Sequence, residues 1–210
     1  MIEKIAKKIE SMSGTYAGYD IFSDWVKALA ISISNSTDMI RGKIWQARED
    51  QYMDIARKHG RETMEGFSEL SEMLIEALDQ EIQDVLGAVF MAGQFFTPFH
   101  VSLLTAATSI PKEVSEEKPM VIHEPSTGAG GMIIAVAKIL LQRGVNPQRC
   151  MRVVAQDLDW KGVYMTYVQL SLLGIRATVV QGDTLIEPFD SRKYPKERVL
   201  YTPTQKGMLV

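Results

Sequence analysis

The sequence has one cysteine, three histidines and no long apolar run. Its single cysteine, Cys150, excludes an internal disulfide and fits a reducing, cytoplasmic setting. No stretch approaches the roughly 18 consecutive apolar residues of a membrane-spanning helix. The histidines are scattered without ligand spacing, so we expect no metal site.

The chain also lacks the basic excess of proteins that bind nucleic acid tightly by themselves. Its 26 Asp and Glu outnumber its 23 Lys and Arg, and the formal net charge is -3. Because duplex affinity comes largely from neutralising phosphates, this composition argues against tight, unaided DNA binding. Five basic residues near the C-terminus suit either a phosphate-binding stripe or a solvated loop, and the sequence leaves both open: Arg192, Lys193, Lys196, Arg198 and Lys206.

Residues 1–92 have the apolar spacing of amphipathic helices, near 2–12, 20–33, 38–58 and 62–91, with Gly60 ending the third. From residue 93 the pattern changes to short apolar strands alternating with helices. We therefore predict a helical region over 1–92 and an α/β domain over 93–210.

The most informative segment is a glycine-rich turn between a strand pattern at Met120–Ile122 and a helix pattern that starts near Met132. It reads Glu124-Pro-Ser126-Thr-Gly128-Ala-Gly130-Gly. A strand, a glycine turn and a helix form the place where open α/β sheets bind nucleotides, because glycines allow close approach to the backbone. An ordinary tight turn is the alternative interpretation.

The charge of the turn indicates which nucleotide it binds. Glu124 at the strand end would repel a pyrophosphate, and Ile133 takes the place of the third glycine in the dinucleotide motif. A carboxylate beside glycine amides suits a zwitterionic amino acid, with the amides for its carboxylate and Glu124 for its ammonium. That combination predicts S-adenosylmethionine as the cofactor.

Two further strand ends carry acidic residues. Arg152–Gln156 is followed by Asp157, where a carboxylate can bridge ribose hydroxyls, and Trp160 offers an apolar face for adenine. The strand Ala177–Val180 leads to Asp183, which can accept from the adenine amino group. We expect three neighbouring parallel strands with right-handed crossovers.

Together with Gly93-Gln-Phe95-Phe96-Thr97-Pro98, these motifs resemble those of N6-adenine DNA methyltransferases, especially the modification subunits of type I restriction-modification systems. The resemblance implies a Rossmann-like methyltransferase sheet, here truncated at the C-terminus and preceded by helices. It also implies that Thr97 meets the methionine carboxylate and that Phe95 or Phe96 packs beside the cofactor. Thr97 and Pro98 also form a good helix start, with Thr97 as the N-cap. The cofactor-binding residues predicted in this way are Phe95, Phe96, Thr97, Glu124, Ser126, Gly128, Gly130, Asp157, Trp160 and Asp183.

The resemblance breaks down at the catalytic motif. In the family the fourth strand ends in Asn, Asp or Ser, then two prolines and an aromatic residue, which together hold the flipped adenine. Here that position reads Thr202-Pro203-Thr204-Gln205, so Thr202 and Pro203 are the only catalytic candidates.

Two functions stay open. One is a DNA adenine-N6 methyltransferase that reaches DNA through a partner specificity or methyltransferase subunit. The other is a non-catalytic cofactor-binding decoy, regulatory or anti-restriction protein. The sequence does not fix the oligomeric state.

Overall fold

The computed structural model of the chain describes residues 1–90 and 96–208. Over these ranges a layer of helices packs on an α/β unit with a four-stranded sheet. No helix in either range combines the length and apolar content needed to cross a membrane. The predicted fold, a largely parallel sheet preceded by helices, is confirmed.

The N-terminal layer contains α1 (Ile2–Met12), α2 (Gly18–Ser36), α3 (Lys43–Gln80) and α4 (Val85–Phe90). Gly60 interrupts α3 at the position where the sequence predicted a helix end. Its φ of 71° and ψ of 177° are not helical and suit glycine, so α3 consists of two helical halves that meet at a kink at Gly60. Trp25 of α2 is fully buried, and its Nε1 donates to Ser71 Oγ of α3 at 3.0 Å. This buried bond fixes α2 against the second half of α3.

The α/β unit contains four strands and four α-helices within the described residues. They are α5 (Phe99–Ser109), β1 (Met120–Glu124), α6 (Gly131–Gln142), α7 (Pro147–Cys150), β2 (Met151–Asp157), α8 (Trp160–Leu172), β3 (Ala177–Gln181) and β4 (Val199–Tyr201). A 3₁₀ turn at Lys196–Arg198 precedes β4.

The sheet has the order β1-β2-β3-β4. β1, β2 and β3 pair in parallel, with Glu124 opposite Ala155 and Asp157 opposite Gln181, as the sequence predicted. β4 pairs antiparallel with β3, placing Tyr201 opposite Thr178. The direction of β4 decides which end of the sheet receives the segment that follows it.

One continuous hydrophobic cluster includes buried side chains of the helical layer, such as Leu70, and of the α/β unit, such as Ile133 and Val179. α8 packs against α2, and α6 packs against α5. The helical layer and the sheet therefore share a core. The predicted domain boundary between residues 92 and 93 falls among residues 91–95, outside the described ranges, and stays a prediction.

The helices on either side of the glycine turn begin in different ways. α8 begins with Asp159 as its N-cap, whose side chain accepts from Lys161 N, and Gly174 follows its C-terminus with φ 69°. α5 starts one residue later than predicted, with Pro98 as N-cap and no capping side chain. The prediction that Thr97 caps this helix was therefore wrong, and its hydroxyl is left available to a ligand.

Candidate functional site

Three acidic residues meet at one edge of the sheet. Glu124 ends β1, Asp157 ends β2, and Asp183 follows β3 by two residues. The loops that carry them are bonded together: Gly182 N donates to Asp157 O at 2.7 Å, and Thr184 Oγ1 donates to Pro125 O at 2.7 Å. Parallel strands bring their carboxyl ends to the same edge, which is the usual position of a ligand site in such sheets.

The glycine turn has a conformation that requires glycine. Gly128 has φ 54°, and Gly130 has φ 91° as the left-handed N-cap of α6. A Cβ on Gly128 would lie 2.8 Å from the Phe96 ring, and one on Gly130 would lie 3.1 Å from Thr166 Oγ1. Besides close approach to a ligand, the glycines are needed because neighbouring side chains pack directly on the turn.

Asp157 is held rigidly beside the turn. Its Oδ2 accepts from Gly128 N at 2.7 Å, and its Oδ1 accepts from Asp159 N at 2.9 Å. Gly162 leaves room for this arrangement, because a Cβ there would lie 2.9 Å from Asp157 Cγ. Each carboxylate oxygen keeps a second lone pair, so the oriented carboxylate can still accept from a ligand hydroxyl.

Glu124 is half-buried at the end of β1. Burial raises the pKa of its carboxyl group, and the Asp157 carboxylate adds to this, against the opposing effects of the Ser126 amide and of His123. The bond from Ser126 N is long, at 3.4 Å. The Glu124 carboxyl group therefore retains the capacity to accept hydrogen bonds from a ligand or to pair with a cation.

A cavity of about 440 Å³ opens over the turn and the start of α6. Its volume is within the range of small-molecule sites. Five of the predicted cofactor residues line it: Phe96, Thr97, Ser126, Gly128 and Asp157. The backbone N–H groups of Gly131 and Met132, in the first turn of α6, also lie at this cavity and have no acceptor within the helix. They provide donors for an anionic group.

The other predicted cofactor residues take different positions. Glu124 and Asp183 lie beside the cavity rather than in its lining, and Gly130 supports the turn from the α8 side. Trp160 stacks on Tyr164, with ring centroids 5.1 Å apart, and lines a separate cavity of about 440 Å³ against α2 and α3. Phe95 lies outside the described residues.

Two exposed leucines suit an apolar ligand surface better than Trp160 does. Leu158, directly after Asp157, is 68% exposed, and Leu185, two residues after Asp183, is 95% exposed. Sequence reasoning missed both, because a leucine after a strand end resembles any core residue. Their exposure is the signal, and only the structure provides it.

A buried polar cluster below the cavity was also missed. Asp84, directly before α4, is 8% exposed, and its Oδ1 accepts from Gly87 N and from Gln169 Nε2, both at 2.8 Å. Gln169 Nε2 also donates to Ala129 O at 2.8 Å, which ties α4 and α8 to the glycine turn. Burial raises the pKa of Asp84, and the two bonds to Oδ1 oppose that shift. Both Asp84 and the fully buried Ser102 line the cavity.

The catalytic candidates Thr202 and Pro203 do not join this site. Because β4 runs antiparallel to β3, Thr202 lies beside Ala177 at the amino end of β3. With a rise of about 3.3 Å per residue, the two ends of β3 are about 13 Å apart. The Thr202 hydroxyl is fully buried, donates to Ile175 O at 2.8 Å and accepts from Ala177 N at 3.0 Å. The expectation that the fourth strand delivers Thr202 to the cofactor edge is therefore corrected: the hydroxyl completes the start of β3.

The basic C-terminal residues are partly neutralised. Lys206 Nζ pairs with Asp38 at 2.6 Å, Arg198 pairs with Glu187 at 2.9 Å, and Arg192 pairs with Asp190 at 3.4 Å. Arg198 also donates to the Gln181 carbonyl at 3.1 Å. These contacts favour a structural role for most of this segment over a continuous phosphate-binding stripe.

Comparison with known proteins adds to this geometry. Residues 67–204 match the family model described as N-6 DNA Methylase. Among solved structures, the chain is similar to the type I restriction-modification system methyltransferase subunit from Streptococcus thermophilus, with 14% identity and a TM-score of 0.47. The similarity covers 91% of this chain and 41% of that subunit, so the chain spans less than half of its length. No curated protein sequence gives a significant match.

Proposed function

The chain belongs to the N-6 DNA methylase family, and from this premise we propose that it binds S-adenosylmethionine in the cavity over the glycine turn. It would do so as the cofactor-binding part of a DNA adenine-N6 methyltransferase of restriction-modification type. The proposal rests mainly on one observation: a single cavity is lined by Gly128, by Asp157 and by the free backbone amides of Gly131 and Met132.

The residues present fit the parts of this cofactor. The first-turn amides of α6 and the exposed Thr97 hydroxyl suit the methionine carboxylate, since a helix N-terminus attracts anions. Asp157 is oriented to accept from the ribose hydroxyls. Asp183, with Leu158 and Leu185 beside the sheet edge, suits the adenine amino group and ring faces. When bound, S-adenosylmethionine supplies an electrophilic methyl group on a sulfonium.

The target adenine of DNA would need a second site, apart from the cofactor cavity. Thr202 and Pro203 lie at the opposite end of β3, so among the described residues we assign no group that would hold a flipped base. Base flipping costs a few kcal/mol of unstacking and needs a closed pocket to offset it. We therefore propose that the chain by itself binds the cofactor and transfers its methyl group to DNA negligibly. DNA would be reached together with a partner specificity or methyltransferase subunit.

The buried hydroxyl of Thr202 also favours a second candidate function, a non-catalytic cofactor-binding protein with a regulatory or anti-restriction role. Its partners would be the subunits of a restriction-modification assembly. Both functions require cofactor binding, and they differ in whether methyl transfer ever occurs.

One experiment tests the proposal and separates the two functions. Calorimetry with S-adenosylhomocysteine measures cofactor binding, and transfer of a labelled methyl group to adenine-containing DNA measures activity, with and without a specificity subunit. Binding with transfer only in the assembly supports the methyltransferase, and binding without any transfer supports the second function. Absence of binding would overturn both, and strong transfer by the isolated chain would overturn the assignment at Thr202.

A further inference from the structure

Asp84 is a carboxylic acid at a position where its structural role does not require one. Its Oδ1 accepts from Gly87 N, in the first turn of α4, and from Gln169 Nε2, and the oxygen of a neutral asparagine could accept both bonds. Burying a carboxylate without a cation is costly. Yet none of the described basic side chains forms an ion pair with Asp84.

The second carboxylate oxygen faces the cavity. Asp84 lines the cavity, and no described residue donates to its Oδ2. That oxygen lies at the first turn of α6, because a Cβ on Gly131 would be 2.9 Å from it. Here it is next to the amides that suit the carboxylate of an amino acid. The cavity thus presents a carboxyl oxygen, which accepts hydrogen bonds, beside backbone N–H groups that donate to an anion.

Ser102 gives an independent indication of a missing partner. Its side chain, in α5, is fully buried and lines the same cavity, and its Oγ has no hydrogen-bond partner among residues 1–90 and 96–208. Buried hydroxyls without partners are rare in native proteins. A ligand group that carries several N–H donors and a positive charge would suit both acceptors, since both residues line this cavity.

Resting on the proposed function, we infer that Asp84 and Ser102 form the receptor for the α-ammonium group of the methionine moiety. This assigns to Asp84 the role that the sequence suggested for Glu124, which does not line the cavity. The sulfonium, the other cation of the cofactor, has no N–H to donate and would leave Ser102 Oγ without a partner. Asp84 is therefore assigned to the ammonium rather than to the sulfonium.

The test uses S-adenosylhomocysteine, which keeps the ammonium and lacks the sulfonium, and its analogue with hydrogen in place of the α-ammonium. For the wild type we expect calorimetry to give about 10- to 100-fold tighter binding of S-adenosylhomocysteine than of the deaminated analogue, the range for a hydrogen-bonded charge. Asp84→Asn should abolish most of this preference, because it weakens the binding of S-adenosylhomocysteine and leaves the binding of the deaminated analogue unchanged. Asp79→Asn, which removes an exposed carboxylate at the end of α3, should change neither affinity.

A stability measurement separates this role from a purely structural one. Because Asn can keep both bonds to Oδ1 and has no ionisable group to bury, Asp84→Asn should not lower the melting temperature of the ligand-free protein, while it weakens binding of S-adenosylhomocysteine. If the variant fails to fold, Ser102→Ala decides. The Ser102 hydroxyl has no partner in the part of the chain that the structure describes, so this variant should fold and bind S-adenosylhomocysteine about 2- to 10-fold more weakly, and wild-type affinity would overturn the inference.

The outcomes are distinct. If Asp84→Asn binds S-adenosylhomocysteine like the wild type, or if the wild type does not distinguish the two ligands, the inference is overturned and the proposed function stands. If Asp84→Asn binds S-adenosylmethionine more weakly but S-adenosylhomocysteine as tightly as the wild type, the inference is overturned in favour of a contact between Asp84 and the sulfonium. If the wild type binds no ligand of this class, the inference and the proposed function fall together.

Discussion

Replacing Thr202 by valine tests whether this residue serves the start of β3 or the chemistry of a methyltransferase. Valine has nearly the shape of threonine, so the substitution removes the hydroxyl and little else. In the structure that hydroxyl accepts from Ala177 N at 3.0 Å and donates to Ile175 O at 2.8 Å. Both Thr202 and Ala177 are fully buried, so water cannot replace either bond.

The expected effect is a loss of stability. Leaving the Ala177 N–H without an acceptor costs about 1–3 kcal/mol. For a chain of this size that corresponds to a fall in melting temperature of about 3–10 °C. Affinity for S-adenosylhomocysteine should not change, because Thr202 lies at the amino end of β3 and the cavity over the glycine turn lies at the carboxyl ends of the parallel strands.

Thr204→Val is the matched control. Thr204 is also buried, but its Oγ1 has no hydrogen-bond partner within the described ranges, so losing that hydroxyl should leave stability unchanged or raise it. Differential scanning calorimetry of the three proteins provides the comparison. If Thr202→Val keeps the wild-type melting temperature, or if it abolishes methyl transfer by an assembled enzyme without loss of stability, the structural assignment is refuted.

Three more changes probe the site and its support. Asp157→Ala should weaken S-adenosylhomocysteine by about 1.5–3 kcal/mol in calorimetry, since a charged acceptor is lost; unchanged affinity would remove Asp157 from the site. Gly128→Ala should lower both the melting temperature and this affinity, because the new Cβ would lie 2.8 Å from the Phe96 ring at a positive φ, and wild-type values for both would contradict the described turn. Asp24→Asn should lower stability at neutral pH. Burial raises the pKa of the Asp24 carboxyl group, but its hydrogen bonds to Lys58 and His59 outweigh burial, so the net pKa lies below 3.8. The stabilisation by the Asp24 carboxylate is present above pH 3.8 and is lost as pH falls through the lower pKa of the folded state. The difference in melting temperature between the variant and the wild type should therefore narrow in acid. A difference that does not depend on pH would exclude the Asp24 charge as its cause.

Local patterns in the sequence were enough to predict the centre of the fold. The glycine turn after Glu124 and the strands that end at Asp157 and near Asp183 are encoded within a few residues each, by apolar spacing and by glycines that tolerate positive φ. Parallel pairing then follows from alternating strands and helices, because such crossovers bring the carboxyl ends of the strands to one edge. The sequence by itself therefore predicted the sheet edge that carries the glycine turn, Glu124 and Asp157.

Only the tertiary structure decided the partners that are distant in sequence. Asp84 meets Gln169, 85 residues further along the chain, and no periodicity indicates such a pair. Trp160 follows Asp157 closely, yet its position on α8 turns it towards α2 and α3 rather than to the glycine-turn cavity. Thr202 stands at a motif position, but the strand before it pairs antiparallel with β3. Apolar spacing shows that a segment is a strand, whereas its direction and its neighbour depend on the packing of the whole chain.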